Sequence, residues 1–408
     1  MSAHESVVPQ VSLADIESAR ETLAGHAITT PMEESRWLSA IAGGPVLLKC
    51  ENLQRTGSFK ARGAFVRISR LTPEEQARGV VAASAGNHAQ GVALAAQQLG
   101  LSATVFMPEG APIPKEKATR GYGADVVFEG RYLEDALVAA RRFAEETGAV
   151  LIHPFDHADV VAGQGTVGLE ILEQAPDTQT VLIPAGGGGL LAGVAIALKA
   201  VRPDITVIGV QAKGAAAYPA SLQQGAPVPL ASMKTMADGI AVGLPGEITF
   251  AAVRDHVDDI ITVSEEAMSR ALLALVERAK MIVEPAGAAA VAAMLEQPSA
   301  FATPAVAVLS GGNIDPILLG KVIQHGMAAA GRYLNLHVTI PDSPGGLARL
   351  LGEVGDTGAN VLEVVHERIS ASLHLDEVDV QLQLETRGEP HAATVLARLR
   401  ERGYRVLE

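Results

Sequence analysis

The sequence predicts an α/β protein built on parallel sheet covered on both faces, followed by a smaller ferredoxin-like unit of βαββαβ order. Two observations carry the prediction. Short, almost wholly apolar runs alternate with helix-like segments through most of the chain, as buried parallel strands joined by helices require. Near Gly331 the pattern changes, and the remaining residues read strand, helix, strand, strand, helix, strand.

Gly79–Ala83 (GVVAA) reads as a buried strand, and His88–Leu99 as the helix after it. Ser102–Met107 (SATVFM) is the next strand, Pro114–Tyr122 a helix and Ala124–Phe128 a strand. Thr180–Ala185 (TVLIPA), Ile205–Gln211 and Ala305–Ser310 repeat the theme, each followed by glycine and a helical segment. In such sheets ligands sit at the carboxyl ends of the strands, so function is to be sought in the loops there. Beyond Gly331, Leu334–Ile340 (LNLHVTI) alternates apolar with polar residues, and Pro344–Gly346 turns into a helix, Leu347–Gly355. Val361–Arg368 and Asp376–Glu385 form a hairpin, His391–Arg402 a last amphipathic helix, and Tyr404–Leu407 closes the unit. The predicted division is therefore 1–330 and 331–408.

A chain of 408 residues can bury a sizeable core. Aromatic residues make up only 3%, so Ala, Val, Leu and Ile must fill it. The net charge of −14, from 32 basic and 46 acidic residues, argues against nucleic acid or an anionic membrane as a main partner. The single cysteine, Cys50, excludes an intramolecular disulfide and any multi-cysteine metal site, and no metal is expected. No basic flank followed by an apolar stretch opens the chain, and apolar runs such as Leu190–Leu198 are too short to span a bilayer. A cytoplasmic enzyme is the expectation.

Four segments stand where a strand meets a loop or helix. Thr56–Ala64 (TGSFKARGA) centres on Lys60, and lysine is the side chain that forms a Schiff base with a carbonyl cofactor. Ser84–Gly91 (SAGNHAQG) follows an apolar strand; its small residues permit close backbone approach, and Asn87 offers both donor and acceptor. Gly186–Gly189 lie between a strand and a helix, where converging N–H groups and the positive helix end can receive a phosphate. The same stretch holds a G-x-G-x-x-A, but the acid expected at the end of the next strand is replaced by Gln211, which counts against a nicotinamide cofactor. Ser310–Asn313 (SGGN) ends the strand AVAVLS, where a hydroxyl can face a ring nitrogen. Each alone is commonly a surface lysine or a glycine turn. Together they are the parts a pyridoxal-phosphate site requires.

These motifs, their order and the adjoining KCENLQ (Lys49–Gln54) resemble the fold-type II pyridoxal-phosphate family, specifically the threonine/serine dehydratases, over about residues 10–325. The tail resembles an ACT regulatory domain. The resemblance implies two open parallel-sheet α/β subdomains, with a smaller one of about residues 50–155 inserted in the larger. It implies dehydration and deamination of L-threonine to 2-oxobutanoate and ammonia, with L-serine to pyruvate as a side activity, in isoleucine biosynthesis or threonine catabolism. Lys60 then matches the catalytic lysine that carries the cofactor, with Phe59 beside the ring. Asn87 matches the partner of the ring's phenolic oxygen, and Ser310 that of the ring nitrogen. Gly186, Gly187, Gly188, Gly189 and Leu190 match the phosphate loop. Ser84, Ala85, Gly86, Asn87 and His88 match the loop that grips the substrate carboxylate, and Gly239 and Glu284 match further positions lining the cofactor.

Serine racemase shares most of these motifs and is the main alternative. It differs by a serine on the opposite face of the cofactor, where this chain has Ala85. Its carboxylate cation site is also replaced here, by Gln211, Ala215 and Ala217. Cysteine and threonine synthases differ around the lysine and in the carboxylate loop. A non-enzymatic alternative is a degenerate homologue that senses an amino acid through its tail. In the tail, the turn Asp342–Leu347 (DSPGGL) can receive an effector carboxylate, with isoleucine or valine implied by the resemblance; a passive dimerisation unit is the alternative. A homodimer or homotetramer is expected.

Overall fold

The computed structural model describes residues 9–367, 374 and 376–407. It forms two compact units that divide after Leu319. The change of pattern at Gly331 lies just past helix Pro316–Ala329, and the division falls inside that helix. A helix that runs on past a boundary gives no sequence signal there.

In chain order the strands of the first unit are β1 (Met32–Glu34), β2 (Val46–Lys49), β3 (Val80–Ala83), β4 (Ala103–Met107), β5 (Asp125–Phe128), β6 (Val150–Leu151), β7 (Thr180–Pro184), β8 (Thr206–Ala212), β9 (Asp259–Val263) and β10 (Ala305–Val308). They make two sheets, ordered β1-β2-β10-β7-β8-β9 and β5-β4-β3-β6. All pairings are parallel except β1 with β2, where the chain doubles back through helix Arg36–Ala42 and adds an antiparallel edge. The strands buried on both faces are the apolar runs seen in the sequence. Of the strands the sequence reading did not single out, β1 and β6 are too short to show a period, β2 is a four-residue run that closes on a lysine, and β9 alternates weakly.

Four helices lie in a row and are joined at glycines: Asn87–Leu99, Lys60–Ser69, Ala158–Gln174 and Gly189–Val201. A methyl group on Gly91 would stand 3.1 Å from the Lys60 carbonyl carbon, and one on Gly163 would stand 2.6 Å from Gly63 Cα. A methyl on Gly193 would stand 2.6 Å from Gly165 N. Backbone therefore packs on backbone along the row, which only glycine allows.

Beneath this row lies a buried set of four charges. The Arg62 guanidinium donates to Glu51 at 2.8 and 2.9 Å and to Glu170 at 2.6 Å, and Lys49 Nζ donates to Glu170 Oε2 at 2.5 Å. Two cations and two anions balance, and Thr30, Thr166 and Gln174 take up further donors and acceptors. Such a group is costly to bury but costlier to break, so it fixes how β2, the lysine helix and helix Ala158–Gln174 fit together.

The second unit carries β11 (Tyr333–Pro341), β12 (Asn360–Glu367), β13 (Glu377–Glu385) and β14 (Arg405–Leu407), with helices Gly346–Asp356 and Glu389–Glu401. The sheet is antiparallel in the order β12-β13-β11-β14, the ferredoxin-like arrangement expected. Val378, Val380, Leu382 and Leu384 alternate inward along β13 against Leu350, Val354, Val395 and Leu399 of the helices. Arg368, expected to end a strand, lies outside the described residues.

Candidate active site

Each sheet of the first unit has a switch point, and the two face one cleft. In the larger sheet β8 and β9 lie to one side of β7 and β10 to the other, so the loops leaving β7 and β10 splay apart; they are Gly186–Gly189 and Ser310–Asn313. In the smaller sheet β4 and β5 lie to one side of β3 and β6 to the other; the loops are Ser84–Gly86 and Ile152–Pro154.

Lys60, first residue of its helix, joins these loops. Its Nζ donates to Pro154 O at 2.7 Å, and the amide of Phe59 donates to Ser310 O at 3.2 Å. The Phe59 ring lies 5.2 Å from Nζ. Burial holds the Lys60 ammonium down to about 8, against the opposing pull of Glu284. A lysine in that state reaches its nucleophilic form near neutral pH.

The glycine loop stands beside the segment that holds Lys60, because a methyl on Gly187 would come within 2.5 Å of the Phe155 ring. The Gly187 carbonyl accepts from Thr249 Oγ1 at 2.7 Å and from Tyr218 Oη at 3.3 Å. In a trans peptide the next N–H points the other way, so the Gly188 amide faces the opposite side of the loop. Gly188 sits at φ +95°, a left-handed conformation suited to glycine. The first helical bond runs from Ala192 N to Gly188 O, so the N–H groups of Gly189 and Leu190 precede the ladder and are oriented for an anion.

Asn87 is fixed by two neighbours. Its Nδ2 donates to Glu284 Oε1 at 2.6 Å, and its Oδ1 accepts from Asn313 Nδ2 at 2.9 Å. Asn313 Nδ2 also reaches Thr56 O at 2.6 Å, which ties it to the loop before Lys60. Glu284 caps helix Pro285–Glu296, and its other oxygen, Oε2, is buried without a hydrogen-bond partner. Burial and Asp238 raise the Glu284 carboxyl to about 7, with Lys115, Asn87 and Lys60 pulling the other way. Gly239 and Gly311 lie against this carboxylate, and a methyl on Gly239 would stand 3.3 Å from Oε1.

Ser84 Oγ accepts from the Gly86 amide at 3.1 Å and shapes the turn through Ala85. His88 is buried, its Nε2 2.8 Å from Ile152 O, and burial followed by the charge of Lys60 depresses it to about 3. It is neutral, with its proton on Nε2, and acts as a strut for the loop. Ser310 is 4% exposed at the end of β10. Gln211 is engaged by Ala185 O and the Tyr218 amide.

The structure thus gathers Lys60, Phe59, Asn87, Glu284, Gly239, Ser310 and the two glycine-bearing loops around one cleft. Sequence reasoning missed Asn313, Lys115, Asp238 and Phe155. Asn313 was within reach, as the last residue of SGGN; the other three lie in ordinary-looking segments and carry no pattern. Among the described residues no helix is long and apolar enough to cross a membrane.

The profile of the family described as pyridoxal-phosphate dependent enzyme matches residues 23–311. The chain is 45% identical to the L-threonine ammonia-lyase of Thermotoga maritima over 97% of its length and 99% of that protein. It is 46% identical to the L-threonine ammonia-lyase of Geobacter sulfurreducens, over 96% of this chain and 98% of that one. Among solved structures it is similar to the threonine deaminase of T.th., with 46% identity and a TM-score of 0.71, covering 74% of this chain and 99% of that one. It is also similar to maize serine racemase, with 36% identity and a TM-score of 0.73 over 78% and 99%.

Proposed function

Because this chain belongs to the family of pyridoxal-phosphate dependent enzymes, we propose that it is an L-threonine ammonia-lyase, forming 2-oxobutanoate and ammonia and, from L-serine, pyruvate. The observation that carries the reading is the meeting, in one cleft, of a half-buried amine, a glycine-lined anion cup and a small-residue loop at the ends of β3, β6, β7 and β10.

The residues fit the cofactor. Among the described residues Lys60 Nζ hydrogen-bonds only to a backbone carbonyl, the cup is walled by glycines packed too closely against Phe155, Tyr218 and Ile240 for any side chain to cover their N–H groups, and Glu284 Oε2 is buried and unpartnered. Gly186 to Leu190 would hold the phosphate through backbone N–H groups, Asn87 the phenolic oxygen and Ser310 the ring nitrogen, with Phe59 beside the ring. When bound, pyridoxal phosphate supplies a carbonyl for the substrate amine and a ring that draws electrons from the α-carbon.

The chain's own groups do the rest. Glu284 and Asn313 fix which way the Asn87 amide points, so that its second N–H is free for an oxygen. Lys60 Nζ, with its proton held loosely, takes the α-proton. Ser310, a neutral partner, does not enforce a positive ring as a carboxylate would, which favours prompt loss of the β-hydroxyl over slower competing reactions. Ala85 carries neither acid nor base, so the proton chemistry is one-sided, and this supports elimination over racemisation.

Steady-state release of ammonia and 2-oxo acid from L-threonine, L-serine and their D-forms tests the reading. Lys60→Ala should lose turnover together with the visible absorbance of the bound cofactor; turnover retained by that variant would sink the assignment.

The second unit serves regulation in this reading. A cavity of about 610 Å³ is lined by the turn 340–348 with Leu351, His366 and Val378, and Gly345 at φ +82° opens helix Gly346–Asp356 beside it. An amino acid such as isoleucine or valine would place its carboxylate there and shift the balance of active forms, provided affinity differs between them. A chain ending before Gly331 should lose its response to either amino acid. A homodimer or homotetramer is the proposed assembly.

A further inference from the structure

Beyond its pull on the Glu284 carboxyl, Lys115 enters none of the roles above. It lies on helix Ile113–Gly121, is 8% exposed, and its Nζ donates to Asp238 Oδ2 at 2.7 Å, on the short helical turn Asp238–Ile240. The pair is asymmetric. The lysine side chain is 9% exposed and the aspartate side chain 57%. The anion can turn into water at little expense, whereas the buried cation cannot, since an unpaired buried charge is strongly unfavourable.

The ammonium is also under-used. It has three N–H donors, and Asp238 is its single hydrogen-bond partner among the described residues. Its position is informative, because a methyl on Gly86 would stand 3.9 Å from Nζ. The cation therefore lies over the Ser84–Asn87 loop, which has no cation of its own, and His88 below is neutral.

We propose that Lys115 receives the substrate's α-carboxylate, leaving Asp238 as the amino acid enters, and that Asp238 holds the ammonium in place while the cleft is empty. This rests on the amino-acid dehydratase reading. Binding is then an exchange of one anion for another at a buried cation. The two members of the ion pair act in opposite senses: Lys115 attracts the carboxylate, and Asp238 competes with it.

The test is steady-state kinetics of Lys115→Gln, Lys115→Arg and Asp238→Asn with L-threonine, together with absorbance titration by L-threonine and by L-threoninol, which lacks the carboxylate. Lys115→Gln should raise KM about 10- to 100-fold, the span of a charge-assisted hydrogen bond, with kcat changing far less. Lys115→Arg should recover most of that loss, and Asp238→Asn should lower KM. L-threoninol should bind the unaltered enzyme and Lys115→Gln alike. If both ends of the pair shift KM in the same direction, or L-threoninol weakens as much as L-threonine, the pair is only a structural bridge and the inference is overturned. Absence of 2-oxo acid from the unaltered enzyme would instead overturn the dehydratase reading itself.

Discussion

The burial that holds the Lys60 ammonium down to about 8 has a consequence for how the enzyme takes up its cofactor. Only the unprotonated amine attacks a carbonyl. At pH 7 a group titrating near 8 is about 10% unprotonated, whereas a lysine at its ordinary value is unprotonated to only about 0.03%, a roughly 300-fold difference. Cofactor-stripped enzyme, mixed with pyridoxal phosphate from about pH 6 to about pH 10.5, should regain absorbance at a rate that climbs and then levels through about 8. Dividing by the rate for a free lysine derivative at each pH removes the cofactor's own titrations. The sign of a second change is also fixed. Glu284 favours the charged form of Lys60, so Glu284→Gln should move the midpoint lower. A normalised rate without a plateau near that pH, or a midpoint moved upward by Glu284→Gln, would refute the electrostatic account.

Three further outcomes rest on the same contacts. Asn313→Ala frees the Asn87 amide to turn, so affinity for pyridoxal phosphate should fall by about 1–3 kcal/mol, read by absorbance titration of stripped enzyme. Glu170→Gln leaves Lys49 and Arg62 with one carboxylate between them and should lower stability by about 3–5 kcal/mol in urea unfolding, with partial recovery on adding Lys49→Met. His88 is depressed to about 3 in the folded chain, so the unfolded chain binds its proton more tightly and stability falls as pH drops from about 6.5 towards about 3. His88→Gln should flatten the pH dependence of the unfolding midpoint in that window, and an unchanged slope would show that His88 is not the group responsible.

The strands buried on both faces were legible because they are continuous apolar runs, and the second unit because β13 alternates without a break. Lys60, Asn87, Gly186–Gly189 and Ser310 were legible because each belongs to a short motif of unusual composition. Lys115 was not, because PIPKEK is an ordinary helix start, and what matters about that lysine is that helix Ile113–Gly121 turns it towards residues far along the chain. The four-charge cluster was hidden for the same reason. Lys49, Glu51, Arg62 and Glu170 lie up to 121 residues apart in the chain, and only the fold removes water from all of them together.

The row of helices joined through Gly91, Gly63, Gly163, Gly165 and Gly193 links Asn87, Lys60 and the start of the anion cup. Spacing along it is set largely by main-chain atoms in direct contact, with the side chains of Gln164 and Ile16 filling in beside Gly63 and Gly165. It works as a caliper: the gap between Lys60 and the glycine cup is ruled by close main-chain contacts, and repacking in the alanine-rich interior around it should leave the jaws where they are.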